Sequence, residues 1–290
     1  MTKQLLIFGD SLVDAGNTAF VFSQVGVDNP YQDPIYAGGG NVKASDGLVI
    51  GEHVALEMGG AVDDAQLISI FSTEGPKDVQ VHNYAHAFAR SDSSPMLTEQ
   101  IGIGIKEQVK SFLQRKDHYQ DKADVDAILN CGGNDIYAAF SQVDQIKEVI
   151  STKDRKDDRK FAKRFARPIA RRIGNSINVL DGVVDEIAVA GMSPIMETPD
   201  GQDWLSNFKR KNRQRKASDL ISFIGNKITK KLQNKFIDNP SVHVNDGYEV
   251  WGQLQSPSFV DGLHPDTDTA SEIAKIFVSE MKDNLESFGF

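Results

Sequence analysis

Residues 4–11 read QLLIFGDS, an apolar run that ends in a glycine, a carboxylate and a hydroxyl. A short apolar run bounded by turn residues is typical of a buried strand in a parallel sheet. Comparable runs lie at 79–84, 125–131, 193–196 and 242–244. Amphipathic stretches of helical length separate them. This alternation predicts an α/β protein, a three-layer sandwich with a central parallel five-stranded sheet.

The amphipathic stretches lie around residues 48–58, 97–114, 136–150, 161–190, 204–236 and 269–288. The last begins after Pro265 with Asp and Thr residues that can cap a helix. Residues 29–46 contain two prolines and three consecutive glycines, which predicts a loop, and loops of this length are usually functional or mobile. Because no repeat or low-complexity segment divides the chain, we expect residues 1–290 to form one domain.

Composition narrows the class of protein. The chain has 290 residues, of which 40% are hydrophobic, enough to bury a sizeable core. Its single cysteine, Cys131, excludes an intrachain disulfide framework, and its net charge of -9 argues against an overall nucleic-acid binder. No stretch approaches the ~18 apolar residues of a membrane span. The N-terminus lacks the features of a signal peptide, which fits a cytoplasmic protein or a mature secreted chain, so the compartment stays open.

Basic residues are concentrated in two segments. Residues 153–172 hold ten Lys/Arg against three Asp/Glu, and residues 209–216 hold six against none. We therefore expect a basic helical region at about 151–216 on an otherwise acidic protein. The charges can be a solvated face with pairing between residues four apart. Alternatively, they form an electropositive surface for anionic lipid, an anionic substrate or an acidic protein partner.

Three polar segments stand out. Two come directly after the first and third apolar runs, and one lies between the last run and the last helix. They are Gly9-Asp10-Ser11, the segment 132–135 (GGND) and the segment 261–264 (DGLH). Ligands of open parallel sheets bind at the carboxyl ends of the strands, where these residues would meet. A serine becomes nucleophilic when an imidazole removes its proton and a carboxylate orients that imidazole. The pattern predicts acyl transfer, with the Ser11 N–H and the Asn134 amide as oxyanion donors.

Structural roles are the alternative for each of these residues. Asp10 and Ser11 can cap a helix after the first strand, and Asp261 and His264 can be turn and cap residues. Asn134 and Asp135 can form an ordinary strand-to-helix turn. The spacing of these residues is compatible with the catalytic and the structural interpretation.

Four blocks in order resemble the GDSL lipase/esterase family, within the SGNH hydrolases. Residues 8–18 read FGDSLVDAGNT, residues 43–47 read KASDG ahead of Glu52, and GGND and DGLHP follow at 132–135 and 261–265. Residues 197–199 (ETP) are a weaker match to a conserved Pro-rich loop. The resemblance extends over nearly the whole chain and implies a flavodoxin-like α/β/α sandwich. It assigns Ser11 as nucleophile, His264 as general base, Asp261 as its orienting carboxylate, and Asn134 to the oxyanion hole.

One block departs from the family pattern. The family usually reads Asn-Tyr-Ala-x-Gly-Gly-Ala after the second strand, whereas residues 83–89 read NYAHAFA. The backbone N–H of Ala87 or Phe88 can still serve as an oxyanion donor, but the freedom of glycine to adopt positive φ is lost. Lys43 also replaces the usual arginine of the second match, which weakens any bidentate role there. The candidate substrate-pocket residues are Asp10, His86 and Gly133.

The resemblance implies a serine-dependent ester hydrolase that acts through an acyl-enzyme, with phospholipid hydrolysis and acyl transfer to an alcohol among its activities. A carbohydrate acetylesterase is one alternative, and a catalytically weakened binding or effector protein on the same scaffold is another. We expect no metal, because His82 and His86 straddle a strand end without an HExxH motif or a cysteine cluster. No phosphate-binding or dinucleotide loop motif is present either, so we expect no cofactor.

Overall fold

A parallel sheet forms the centre of the molecule in a computed structural model that describes residues 3–62, 65–69, 80–93, 103–120, 124–152, 155–286 and 288. Its strands within these residues are β1 (Gln4–Gly9), β2 (Gln66–Leu67), β3 (Val81–Asn83), β4 (Val125–Asn130), β5 (Glu186–Ala190) and β6 (Val242–Val244). They lie in the order β2-β3-β1-β4-β5-β6, and every neighbouring pair is parallel. All carboxyl ends therefore meet at one edge of the sheet.

Helices cover both faces of this sheet. They are α1 (Asn17–Val25), α2 (Ile50–Glu57), α3 (Ile105–Leu113), α4 (Asp117–Gln120), α5 (Gly133–Ala139), α6 (Val143–Ser151), α7 (Arg155–Leu180), α8 (Pro199–Trp204), α9 (Lys211–Phe236), α10 (Gly247–Gly252) and α11 (Thr267–Asn284). Short 3-10 helices occupy Pro34–Gly39, Phe140–Gln142, Ile195–Glu197 and Leu205–Asn207. No helix among the described residues combines the length and apolar character needed to cross a bilayer.

Side chains of β1 alternate between two hydrophobic cores. Leu5 and Ile7 pack with residues of α2 and α11, whereas Leu6 and Phe8 pack with residues of α3, α5, α6, α7 and α9. This alternation is the period of two that a strand imposes on its side chains. The three-layer α/β/α architecture is thus confirmed, and its sheet has six strands rather than five.

One strand lies elsewhere than the sequence predicts. The fourth predicted strand, at 193–196, is wrong: the chain there forms the 3-10 helix Ile195–Glu197, and β5 is Glu186–Ala190. Pro194 has no backbone N–H to donate within a central strand. The segment of β5 was predicted to be the end of a helix, but α7 ends at Leu180 and a turn separates the two elements.

Two further differences concern the other side of the sheet. The additional strand β2 is a two-residue edge strand, too short to give a periodic signal. The predicted strand at 79–84 corresponds to β3 at Val81–Asn83, and the predicted helix at 97–114 to α3 at Ile105–Leu113. Residues 79 and 97–102 lie outside the described residues.

Candidate active site

Ser11 lies in the turn that follows β1, at the carboxyl edge of the sheet. The carbonyl of Asp10 accepts hydrogen bonds from the N–H groups of Val13 (3.1 Å) and Asp14 (3.0 Å), which closes this turn. Helix α1 begins six residues beyond Ser11, and the residue at its N-cap is Gly16. Ser11 is therefore not a helix cap, which leaves its hydroxyl available at the cleft.

The His264 ring lies between Ser11 and Asp261. Its Nε2 is 2.8 Å from Ser11 Oγ, and its Nδ1 is 2.6 Å from Asp261 Oδ2. The other carboxylate oxygen, Asp261 Oδ1, accepts the N–H groups of Leu263 (3.0 Å) and His264 (2.8 Å). Asp266, and neither Asp261 nor His264, caps α11 by accepting the N–H of Thr269. The segment 261–264 is thus a turn whose shape presents the imidazole to the serine.

Gly262 is required at its place in this turn. Its φ is +88°, a conformation that L side chains rarely adopt. A Cβ at this position would also lie 2.7 Å from Asp200 Oδ1. Asp200 follows the segment 197–199 singled out in the sequence, and its N–H donates to the carbonyl of Gly262 at 3.0 Å. Asp200, directly after the segment that resembles the Pro-rich loop of the family, therefore supports the turn that carries His264.

Tyr36 is a fourth member of the hydrogen-bonded chain, and the sequence did not reveal it. Its hydroxyl donates to Asp261 Oδ2 at 2.6 Å from the 3-10 helix of the predicted loop 29–46. Burial favours a neutral Asp261, but hydrogen bonds from His264 and Tyr36, together with attraction to the His264 ring, outweigh it and hold the pKa of Asp261 below its usual range. Asp261 is consequently ionised wherever His264 could act as a base.

The pKa of Asp10 is shifted in the opposite direction to that of Asp261. Burial raises its pKa to about 7, against weaker opposing effects of the Leu12 N–H and of His264. Two carboxyl groups near one imidazole therefore differ in ionisation, since Asp261 stays charged while Asp10 is protonated through the acidic range. Only Asp261 contacts His264 directly, so it is the carboxylate that can orient the ring.

Three groups are candidate oxyanion donors. Ser11 and Asn134 line the cleft around the serine, whereas Phe88 is not among the described residues that line it. The backbone N–H groups of Ser11 and Phe88 have no acceptor among the described residues. The Asn134 side-chain amide, at the start of α5, donates one hydrogen to the carbonyl of Ala89 at 3.0 Å. A primary amide has two hydrogens, so a second remains for a ligand.

The segment that departs from the family pattern keeps an unusual backbone. Phe88 has a φ of +64°, the left-handed region that a glycine would adopt without strain. The N–H of Ala87 instead donates to Asp14 Oδ2 (2.9 Å) and Thr18 Oγ1 (2.7 Å), so it is engaged within the protein. Of the two alternative donors in this segment, Phe88 is the one with a free N–H.

His86 and Lys43 have partners away from the serine. The His86 ring is buried and lies within hydrogen-bonding distance of the Tyr84 carbonyl (2.9 Å) and of Ser69 Oγ (3.2 Å), and burial lowers its pKa. Lys43 is paired with Glu52, with Nζ 2.7 Å from Oε2, and this pair ties the segment 29–46 to α2. No group of three or more potential metal-ligating side chains occurs in the part of the chain that the structure describes.

A cavity of about 120 Å³ opens over Ser11 and His264. Asp10, Gly133 and Asn134 line it, whereas His86 is not among the described residues that do so. Most of its wall is apolar. The apolar lining includes Ile50, Val54, Ile128, Ile136, Met192, Val250, Trp251, Ile273 and Phe277. The hydroxyl and imidazole therefore face a space suited to an apolar group.

Residues 5–277 match the sequence model of the family described as GDSL-like Lipase/Acylhydrolase. The chain belongs to the GDSL family. No curated protein matches it. Among solved structures, the chain is similar to the lipase Lip_vut3 from a goat rumen metagenome, with a TM-score of 0.50 and 11% identity over 98% of this chain and 99% of that one.

Two further similar structures have lower scores. An extracellular lipase from Streptomyces rimosus has a TM-score of 0.47 and 10% identity, over 96% of this chain and 99% of that one. An acetyl-xylooligosaccharide esterase from Geobacillus has a TM-score of 0.44 and 11% identity, over 96% and 94%. Membership of the GDSL family supports an ester hydrolase, and the geometry above supplies the residues with which such a GDSL protein can act.

Proposed function

We propose that this GDSL protein is a serine carboxylic ester hydrolase that works through an acyl-enzyme. The observation that carries the proposal is the continuous chain of contacts from Ser11 Oγ through His264 to Asp261. His264 Nε2 takes the proton of Ser11 as Oγ attacks the ester carbonyl, and Asp261 holds the ring in the tautomer with hydrogen on Nδ1. The resulting tetrahedral intermediate carries a negative charge on the former carbonyl oxygen.

The oxyanion donors in this proposal are the N–H groups of Ser11 and Phe88 and the Asn134 amide. Each is fixed before the reaction begins, and one such donor typically lowers the barrier by about 3 kcal/mol. Collapse of the intermediate expels the alcohol, which receives the proton from His264. A water molecule, deprotonated by His264, then attacks the acyl-enzyme and releases the carboxylic acid. Asp10 and Gly133 contribute to the pocket wall.

The apolar wall of the cavity favours an ester with an apolar acyl group, such as a lipid ester, over an acetylated carbohydrate. Lining residues such as Ile128, Val250 and Phe277 offer contact surface to methylene groups, each worth about 0.8 kcal/mol when buried. Phospholipids fall within this class. Acyl transfer to an alcohol follows the same path if that alcohol replaces water in the second step. In either case we propose that residues 1–290 act as one hydrolase domain.

A panel of p-nitrophenyl esters of increasing acyl length, together with phospholipids and acetylated xylo-oligosaccharides, tests the proposal. Wild-type protein should turn over the longer acyl esters faster than the acetyl esters, and Ser11→Ala should abolish turnover while the fold is retained. Equal turnover by Ser11→Ala would remove the nucleophile assignment. A preference for the acetylated sugar would favour the carbohydrate esterase, and no turnover of any ester would favour the binding or effector protein.

A further inference from the structure

The two basic segments meet at one end of a pair of parallel helices. Lys235 Nζ donates to the carbonyl of Gly174 at 2.7 Å, and Asn239 Nδ2 donates to Asp181 Oδ2 at 3.0 Å. Residue numbers thus rise together along α7 and α9. At the other end, Lys216 Nζ donates to the carbonyl of Ile150, which precedes α7. Segments far apart in sequence are therefore neighbours in space.

This shared end lies at the edge of the sheet that carries Ser11 and His264. Helix α7 precedes β5 and α9 precedes β6, so both helices run antiparallel to the strands. They therefore begin near the carboxyl ends of the strands. Ile173 of α7 packs against Gly132, which follows β4 closely, and Gly225 of α9 packs against Met192, just beyond β5.

The earlier parts of both helices extend past the sheet. Residues 155–172 of α7 precede the level of the strand ends, as do residues 211–224 of α9. At a rise of 1.5 Å per residue, these parts are about 27 Å and about 21 Å long along their helix axes. Gly225 also packs near Ile136, a residue of the cavity wall. Helix α9 therefore lies behind the part of the cleft wall that contains Ile136, at the point where its projecting part ends.

The side chains that cover this projection are exposed cations. On α7 they are Arg159, Lys160, Lys163, Arg164, Arg167 and Arg171, and at the start of α9 they are Lys209, Arg210, Lys211, Arg213 and Arg215. None of them forms a salt bridge with any residue that the structure describes. The expected pairing with Asp157 and Asp158 is therefore not made by these cations. Asp158 Oδ1 is in fact buried without a partner among the described residues.

The apolar stripe of α7 faces the other way. Phe161, Ile169 and Ile173 belong to the hydrophobic core, and Phe165 packs against it. This helix is core-facing, so its contact with any outside partner is made through charge and not by insertion of apolar side chains. In a protein of net charge -9, such a concentration of cations without salt bridges to described residues favours the binding of anions.

We propose that this basic surface docks the protein on an anionic lipid bilayer and brings the cleft to the membrane. An anionic bilayer matches both features of this edge of the molecule. Its head groups complement the exposed cations, and its acyl esters suit the apolar cavity. Each Lys or Arg near an anionic surface adds to the attraction, which falls off within a Debye length. Docking itself is independent of catalysis, whereas delivery of a lipid ester to Ser11 rests on the proposed function.

Vesicle co-sedimentation tests the proposal with Ser11→Ala protein, so that lipid is not consumed. The probe is phosphatidylcholine vesicles with and without phosphatidylglycerol. We expect binding only to the anionic vesicles, and at least about tenfold weaker binding at high salt. Equal binding to neutral vesicles, or no effect of salt, would overturn the proposal. Equally tight binding to soluble polyglutamate would overturn the lipid assignment in favour of an acidic partner.

Two matched triple variants on one helix locate the surface. Arg210→Gln, Arg213→Gln and Arg215→Gln neutralise the projecting end of α9, and Lys227→Gln, Lys230→Gln and Lys231→Gln neutralise its other half. Both remove three charges and lie outside the catalytic residues, so turnover of soluble p-nitrophenyl acetate should be unchanged in both when made with Ser11 intact. Only the first should weaken vesicle binding, by at least about tenfold.

Equal losses in both variants would overturn the proposed surface, because net charge alone would then explain binding. A wild-type protein that binds anionic vesicles but hydrolyses no ester would leave the docking surface standing and remove the proposed function. Hydrolysis of soluble esters without binding to anionic vesicles would leave the proposed function standing and remove the docking surface.

Discussion

Two segments that carry predicted site residues, 261–264 and 85–89, hold their shape in different ways. The turn 261–264 is built mainly from its own residues, because Asp261 Oδ1 accepts the N–H groups of Leu263 and His264. The segment 85–89 depends on distant residues instead. Its Ala87 N–H donates to Asp14 and Thr18, and its Ala85 carbonyl accepts from Asn17 Nδ2 at 2.9 Å.

The two segments also differ in how closely they match the family pattern. A local turn requires its own residue types, including a glycine at 262, so a substitution there would disrupt the turn directly. A segment that is held from outside keeps its backbone even with Phe88 at a φ of +64°. We infer that the buried carboxylate of Asp14, which belongs to the matching block 8–18, helps to hold this backbone.

Asp261→Asn should have the largest effect, and on activity alone. The amide oxygen can still accept the two backbone N–H groups, but its NH₂ group would face His264 Nδ1 and select the tautomer with hydrogen on Nε2. That tautomer cannot take the proton of Ser11, so kcat should fall by about 10³–10⁴-fold. Ester turnover and chemical denaturation of the same samples check this, with the free energy of unfolding changed by less than about 1 kcal/mol. A large loss of stability would show that the turn is not locally built.

Asp14→Asn should have the next largest effect, and on stability. Its two carboxylate oxygens accept the N–H groups of Gly16 (2.9 Å), Asn17 (2.7 Å), Thr18 (3.1 Å) and Ala87 (2.9 Å). An amide offers only one acceptor oxygen and leaves buried donors unpaired, so the free energy of unfolding should fall by about 3 kcal/mol.

The control for that variant is Asp28→Asn, the same change at an exposed position, which should alter stability by less than about 0.5 kcal/mol. Denaturant titration of both proteins is the measurement. If Asp14→Asn were no less stable than Asp28→Asn, the second segment would not depend on Asp14.

Tyr36→Phe tests a side-chain contact between the local turn and a distant part of the chain. Loss of the hydroxyl removes a hydrogen bond to Asp261 Oδ2 that helps to keep the carboxylate aligned with His264 Nδ1. We expect kcat to fall about tenfold, or about 1.4 kcal/mol, with KM unchanged. The control is Tyr31→Phe, because Tyr31 packs edge-on against Tyr36 but has no hydrogen bond to Asp261. Equal effects of the two changes on kcat would show that Tyr36 acts only through packing.

The smallest expected effect separates backbone strain from side-chain packing at Phe88. Phe88→Ala and Phe88→Gly both remove the ring, but only glycine relieves the left-handed conformation. Phe88→Gly should therefore be more stable than Phe88→Ala by about 1 kcal/mol, measured by thermal or denaturant unfolding. Equal stability of the two variants would mean that the second segment is not strained.

Contacts within a local turn could be predicted from the sequence, whereas contacts between distant segments could not. Ser11, Asp261 and His264 could be placed together because each follows a strand or precedes a helix, and because residues three apart in a turn can hydrogen-bond to one another. The distances of 2.8 Å and 2.6 Å agree with that expectation. The catalytic roles themselves stay a prediction until the variants are measured.

Contacts that depend on how a long loop folds could not be predicted. Tyr36 and Asp261 are separated by 225 positions in the chain, and no local pattern links them. The strand β5 was missed for another reason. Its apolar residues follow directly on the amphipathic pattern of α7, so only the intervening turn, which includes Gly182, distinguishes a new element from a longer helix.

Labelling with a fluorophosphonate probe tests the central claim most directly, since the probe reacts with an activated serine irrespective of the natural substrate. Wild-type protein should gain one adduct, mapped by peptide mass spectrometry to Ser11, and Asp261→Asn should label far more slowly. Absence of labelling, or an adduct on another serine, would contradict the assignment of Ser11, His264 and Asp261 as the catalytic residues.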